Sequence, residues 1–361
     1  GGSPAAGDGA VSAGAPAWPP RWAHVETPPS IEGSYRDSAE AFQVEEVLDF
    51  TPEGEGEHLW VWIEKRGVTT PDAVRSLARQ AQIAVRDVGF SGLKDRDAVT
   101  RQWLSLALPG RTLASGWEAP LAERGIHVLR AVRHPRKLKR GVHRANRFRL
   151  RLDGPAASSD DVRERWTRLI AQGVPNYFGP QRFGPEGRNL QRALVLFARG
   201  WRKREDPQGL LLSTARSYLF NQVLAARVAD GSWCRPLAGD VLNLEGSASR
   251  FLSEAADPAL EARAAAGDLH PTGPLWGQGE PHSRGEVALL EQREAAACAA
   301  LRDGLIAAGA RHERRALRVL PGAASWRAAE AESAVWLEFS LPRGAFATAV
   351  LRELMRHPTL V

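Results

Sequence analysis

In FSGLKDRDAVTRQW, residues 90–103, a glycine turn ends on one acid, Asp95, set between Lys94 and Arg96. A carboxylate has an ordinary pKa near 4, so at neutral pH it is already an anion and needs no general base to act as a nucleophile. Flanking cations favour that anion further. The same residues also fit a plain charged surface turn. No second acid stands at a spacing that marks a paired-carboxylate glycosidase, although residues distant in sequence can meet in space.

A second group surrounds this question with charge. Residues 130–151 hold ten Lys/Arg and no acid, with Arg136, Lys137, Lys139 and Arg140 at the densest point. A solvated face mixes both signs, so single-sign density reads as a phosphate-binding track. A basic loop that serves only solubility is the alternative. Within the run, RFRLRL (147–152) alternates strictly. As a strand it turns Phe148, Leu150 and Leu152 to the core and Arg147, Arg149 and Arg151 to the other face. Asn146 stands at the strand entrance. Its amide both donates and accepts, as the edge of a uracil or adenine requires, but asparagine there is also ordinary turn chemistry.

Three further stretches carry aromatic or amide groups. GVPNYFGPQRFG (173–184) interleaves Asn176, Tyr177, Phe178, Arg182 and Phe183. Such a set can stack on unpaired bases, or it can form a rigid joint with buried aromatics. The joint is the stronger reading. In LSTARSYLFNQVLAAR (212–227), Leu219, Phe220, Val223 and Leu224 fall at helical spacing and read as core, and Arg216 and Asn221 fit function or packing equally. In LPRGAFATAVLRELM (341–355) a strand ends, a Pro-Arg-Gly turn follows, and a helix begins around Phe346. That side chain fits either the core or the mouth of a cleft.

The elements that must position these groups follow from pattern. Strands are expected over 42–50, 59–66, 102–108, 126–134, 148–153, 316–320 and 335–341. A helix is expected from Thr70 to about Ala84, with Pro71 at its first position, and a last one over 343–356. Helices are expected over 187–199, 213–230, 255–266 and 284–308, each bounded by Gly or Pro. Mixed strands and helices with hairpin-length links imply an α/β class of the mixed α+β kind. The helix-rich centre lies between sheet-like ends, so the two ends should build one domain around an insertion. Residues 1–30, rich in Gly, Ala, Pro and Ser, are expected to be a disordered tail.

Composition bounds the class. Among 361 residues, 48 Lys+Arg exceed 42 Asp+Glu, for a net charge of +6. That sign leans toward a polyanionic partner. Two distant cysteines, Cys234 and Cys298, exclude a disulfide framework and fit a reducing, cytoplasmic setting. No apolar run approaches a membrane span, and no secretory leader pattern is present. Walker, dinucleotide-binding and serine-elbow motifs are all lacking.

Taken in order, FQVEE, GFSGLKDRDAVTRQW, ANRFRLRL, GVPNYFGPQRFG, LSTARSYLFN and LPRGAFATAVLREL resemble the TruD family of tRNA pseudouridine synthases, over about Ile31 to His357. The resemblance implies isomerisation of uridine 13 of tRNA to pseudouridine, without metal or organic cofactor, by a monomer free of the membrane. It implies that Asp95 is the nucleophile. Phe42, Asn146 and Phe346 fall on the family's substrate-pocket positions, Arg36 on a basic position just before the first motif, and Lys94 within the catalytic motif. It further implies a catalytic domain from 31–172 and 320–361, with the inserted TRUD domain over 173–319. Two positions depart from the pattern. Asp97 stands where histidine is common, and would raise the Asp95 pKa if it pointed inward. Ala145 replaces a glycine before Asn146.

Overall fold

The computed structural model describes residues 15–329 and 333–361. The first six strands are β1 (Phe42–Val47), β2 (His58–Arg66), β3 (Val88–Phe90), β4 (Val99–Ala107), β5 (Ile126–His134) and β6 (Ala145–Leu152). Then come β7 (Val174–Pro175), β8 (Val241–Leu244), β9 (Arg250–Leu252), β10 (Leu269–Leu275), β11 (Glu313–Ala316), β12 (Arg318–Val319), β13 (Gly322–Ala328) and β14 (Val335–Pro342). The helices are α1 (Thr70–Ala81), α2 (Asp160–Gln172), α3 (Arg188–Arg199), α4 (Leu210–Asp230), α5 (Pro258–Ala265), α6 (Gly285–Ala297), α7 (Ala299–Ala307) and α8 (Ala347–Leu354).

An eight-stranded sheet runs in the order β13-β14-β6-β1-β4-β2-β5, with β3 also paired to β4. Both ends of the chain therefore contribute strands. Only β1 and β4 pair in parallel; the other ladders are antiparallel. A parallel pair needs a crossover, and β2, α1 and β3 supply it. The chain leaves this sheet at β7 and returns at β12, and these two short strands pair with each other. Between them lie a second sheet, β11-β10-β8-β9, and helices α3 to α7.

Local sequence explains the element ends. Thr69 caps α1 by accepting from the Asp72 amide at 3.1 Å, and Pro71 follows one position later than expected. That helix stops at Ala81 because Gln82 takes a left-handed conformation, φ 56°. The expected helix over 284–308 is broken at Cys298. The final helix starts only at Ala347, since Pro342 and Gly344, with φ 87°, hold the chain in a turn. Helix α2 and strands β8, β9, β10 and β13 escaped the sequence reading. Each strand is short or interrupted by Gly or Pro, so none shows a clean alternation.

Residues 15–30 correct the expected tail. Trp22 is 3% exposed, lies 5.8 Å from Tyr177 in a near-parallel stack, and sends its indole N–H to Gln222. Tyr177 and Tyr218 donate to the carbonyls of Ala23 and Ala17. The segment is poor in periodic pattern, but two tryptophans bury enough apolar area to order it. Residues 1–14 of that expectation lie outside the described residues. Among the described residues no helix is long and apolar enough to cross a membrane.

One face of the large sheet carries two apolar clusters. Helices α2 and α8 cover Phe42, Val44, Phe148, Leu150 and Phe339. Helix α1 covers Val61, Ile63, Leu104 and Leu106. The pairing register puts Glu46, Thr100, Gln102 and Lys65 on this same face, between the clusters. All four are buried. This polar seam lies under the parallel strands and is where the Asp95 turn sits.

Candidate active site

The turn over 91–97 is held from below by that seam. Thr70 accepts from the Lys94 amide at 2.9 Å and donates its own hydroxyl to Gln102 Oε1, and the Gln102 amide nitrogen donates to the Gly92 carbonyl at 3.0 Å. The Lys65 ammonium, 0% exposed, donates to the carbonyls of Val68, Lys94 and Asp95. Burial pushes the Lys65 pKa down to about 8, with Asp95 pulling the other way. Gly92 fits because a Cβ there would fall 2.8 Å from the His143 ring. These contacts fix the backbone on both sides of residue 95.

Asp95 itself is half-exposed, its side chain 41% accessible. The Arg36 guanidinium donates to its Oδ2 at 3.0 Å. Arg36 also lies over the Phe42 ring, 4.0 Å from its centroid. Phe42 is 2% exposed, packs edge-on against Phe148 and lies tilted against Tyr35. It is thus the floor beneath Arg36. Asp97 points to solvent, 73% accessible and beside Arg96, so it does not load the site with a second acid.

Lys94 points inward. It is buried, and its ammonium donates to Glu46 at 3.2 Å. Burial raises the Glu46 pKa, and Lys94 opposes that rise. Lys94 therefore holds the turn to β1 and offers no free cation to solvent. Asn146 stands directly opposite Glu46 in the β1–β6 register. Its Oδ1 is buried without a hydrogen-bond partner among the described residues. Phe346 stands just before the first residue of α8 and meets Phe178 edge-on at 5.8 Å, with Arg182 5.6 Å from its ring. Arg36, Phe42, Lys94 and Asp95 thus form one contiguous group, with Asn146 next along the sheet. Phe346 lies on the wall that faces the inserted unit.

The basic run divides. Arg147 and Arg149 share Glu338 across the sheet, and Arg151 pairs with Asp153, so two acids offset most of the charge of these three. Arg136, Lys137, Lys139 and Arg140 are exposed, with no acidic partner among the described residues. Their loop joins the Asp95 turn directly: the Gly141 amide donates to the Ser91 carbonyl at 2.9 Å, and the His143 amide to the Ser91 hydroxyl at 2.8 Å. Trp60 anchors it by donating to the Arg136 carbonyl at 2.8 Å. The aromatics of 173–184 are buried as a joint: Tyr177, Phe178 and Phe183 are all core. Asn221 bridges the amide and carbonyl of Phe178, and Arg216 binds backbone carbonyls and Glu313, which makes both structural.

Sequence reasoning missed Lys65, Thr70, Glu46, Gln102 and His143. A signal for three of them was present in the alternation. Lys65 continues the buried phase of Val61 and Ile63, Glu46 that of Phe42 and Val44, and Gln102 that of Leu104 and Leu106. A polar residue on a core-facing phase marks a satisfied, position-fixing group.

The fold is that of the pseudouridine synthases. A crystal structure of a TruD chain from Methanosarcina mazei superposes with a TM-score of 0.66 at 21% identity, covering 94% of this chain and 97% of that one. The family model for tRNA pseudouridine synthase D (TruD) matches residues 23–193 and 205–354. Curated relatives named tRNA pseudouridine synthase D include one from Chromohalobacter salexigens, 58% identical over 96% of this chain and 99% of its own length. Another, from Pseudomonas syringae pv. syringae, is 48% identical over 88% and 90%. The chain belongs to the TruD family of tRNA pseudouridine synthases.

Proposed function

We propose that this chain isomerises uridine 13 of tRNA to pseudouridine, with Asp95 as the nucleophile. The observation that carries the reading is a half-exposed carboxylate, paired to Arg36, on a rigidly held turn beside an unneutralised cationic loop. The reaction breaks the bond between N1 and the ribose C1′ and forms one between C5 and C1′. One proton leaves C5 and one arrives at N1, so no oxidant or reductant is needed.

The chain's own groups divide the work as follows. Arg136, Lys137, Lys139 and Arg140 dock the phosphate backbone. The uridine leaves its stack, at a cost of a few kcal/mol, which aromatic stacking worth about 1–3 kcal/mol per base offsets in part. Phe346 walls the base and Asn146, with its free Oδ1, hydrogen-bonds it. Phe42 carries Arg36, and Arg36 holds the Asp95 carboxylate in place through its hydrogen bond. Lys94 and Lys65 fix the turn. The catalytic domain comprises residues 31–172 and 320–361 around the inserted 173–319.

The test is incubation with unmodified tRNA, followed by nucleoside analysis. Pseudouridine at position 13, lost when that uridine is replaced by cytidine, is the expected result. Free uracil would point to a hydrolase, and an unchanged nucleoside profile to a binding protein without turnover.

A further inference from the structure

We propose that the cleft beside Arg36 is a second base-binding subsite, seating a nucleotide that adjoins the target uridine with its base on Trp18. This rests on the tRNA reading above. The cleft encloses about 1140 Å³ between the sheet domain, the inserted unit and the two terminal segments. Small-ligand sites typically need roughly 300–1,000 Å³, so a nucleoside fits. Arg36 forms part of its wall and donates to Asp95, so an occupant is separated from the carboxylate by a single side chain.

Trp18 is a half-buried, fixed platform. Its ring rests on Gly187, where a Cβ would fall 2.5 Å away, and against Phe183 at 5.6 Å between centroids. An indole whose orientation is already set loses little freedom on stacking a base. Two buried polar atoms on the same wall lack partners among the described residues: the Thr348 hydroxyl, on a residue 5% exposed, and the Arg36 Nε. Both atoms are shielded from solvent here, so a base completes them when the Thr348 and Arg36 side chains turn toward it. Gln181 and Gln191 add exposed amides that both donate and accept. Asp37 and Glu186 on the rim oppose the Arg36 charge, which suits a neutral base better than a phosphate.

Trp18 and His357 both lie outside residues 23–193 and 205–354, the part matched by the family. The terminal segments thus wall a cleft that the matched residues leave incomplete.

The test is equilibrium binding of wild type and Trp18→Ala to three RNAs. One is unmodified tRNA; the other two replace the nucleotide on the 5′ or the 3′ side of the target uridine with an abasic ribose. The expected result on intact tRNA is binding weakened about 5- to 150-fold, the worth of one stacked base. Trp18→Phe should bind like wild type. On one abasic RNA, wild type and Trp18→Ala should bind equally. An equal penalty on all three RNAs, or none, overturns the subsite. If Trp18→Ala fails to fold, Gln191→Ala and the near-isosteric Thr348→Val carry the same comparison, with the same outcomes decisive. Pseudouridine formation by wild type is scored separately, so a failed isomerase reading and a failed subsite give different results.

Discussion

At the scale of single residues, the account depends on charges held where water is scarce. Lys65 shows how. Its ammonium sits under the Asp95 turn and is pushed down to about 8 by burial. The unfolded chain holds that proton to about 10.4. Between these two values the unfolded state binds more protons, so this group alone makes stability rise with pH. Activity should move the other way. Losing the ammonium weakens the hydrogen bonds that hold the turn carbonyls and so loosens the position of Asp95. A pH–rate profile should fall as pH rises through about 8, and Lys65→Arg should move that limb to higher pH. A profile flat to pH 10 in wild type removes Lys65 from the account. Asp95, Phe42, Asn146 and Phe346 could be nominated from sequence because motif residues stand out there. Lys65 and Glu46 could not, because their roles depend on which face of a strand they occupy, and pairing register decides that.

At the scale of elements, strands and helices with clear periodicity emerged near their expected limits, as β5 and α3 show. Segments ordered by contacts from elsewhere did not. Residues 15–30 are the clearest case. Arg352 of α8 donates to the Trp22 and Ala23 carbonyls, and Glu353 accepts from the Val25 amide at 2.7 Å. Trp22 meanwhile packs with Tyr177, Phe183 and Tyr218 of the inserted unit. The segment is a strap that joins α8 to the insertion, and nothing local to its sequence encodes that. Trp22→Ala should cost about 3–5 kcal/mol, as for other large aromatic truncations in a core. Chemical denaturation measures it. A change below about 1 kcal/mol would mean that the strap is only laid on the surface.

At the scale of the whole molecule, the net charge of +6 pointed to a polyanion, and the structure shows which part of that charge is free. Ion pairing with Glu338 and Asp153 offsets two of the three arginine charges on β6. Among the cations with no acidic partner in the described residues, those over 136–140 lie on the loop hydrogen-bonded to the Asp95 turn. Composition could not make this division, since Glu338, which pairs with Arg147 and Arg149, lies on β14, nearly two hundred residues away. Replacing Arg136, Lys137, Lys139 and Arg140 together by glutamine should reduce the slope of log affinity against log salt by about 3–4, near one unit per lost phosphate contact. An unaltered slope would assign docking to another surface. The central claim, that the Asp95 carboxylate performs the chemistry, is tested most directly by single-turnover conversion of unmodified tRNA with Asp95→Asn, alongside its tRNA affinity. The account predicts no pseudouridine with affinity within a few-fold of wild type. Appreciable pseudouridine from Asp95→Asn would contradict it.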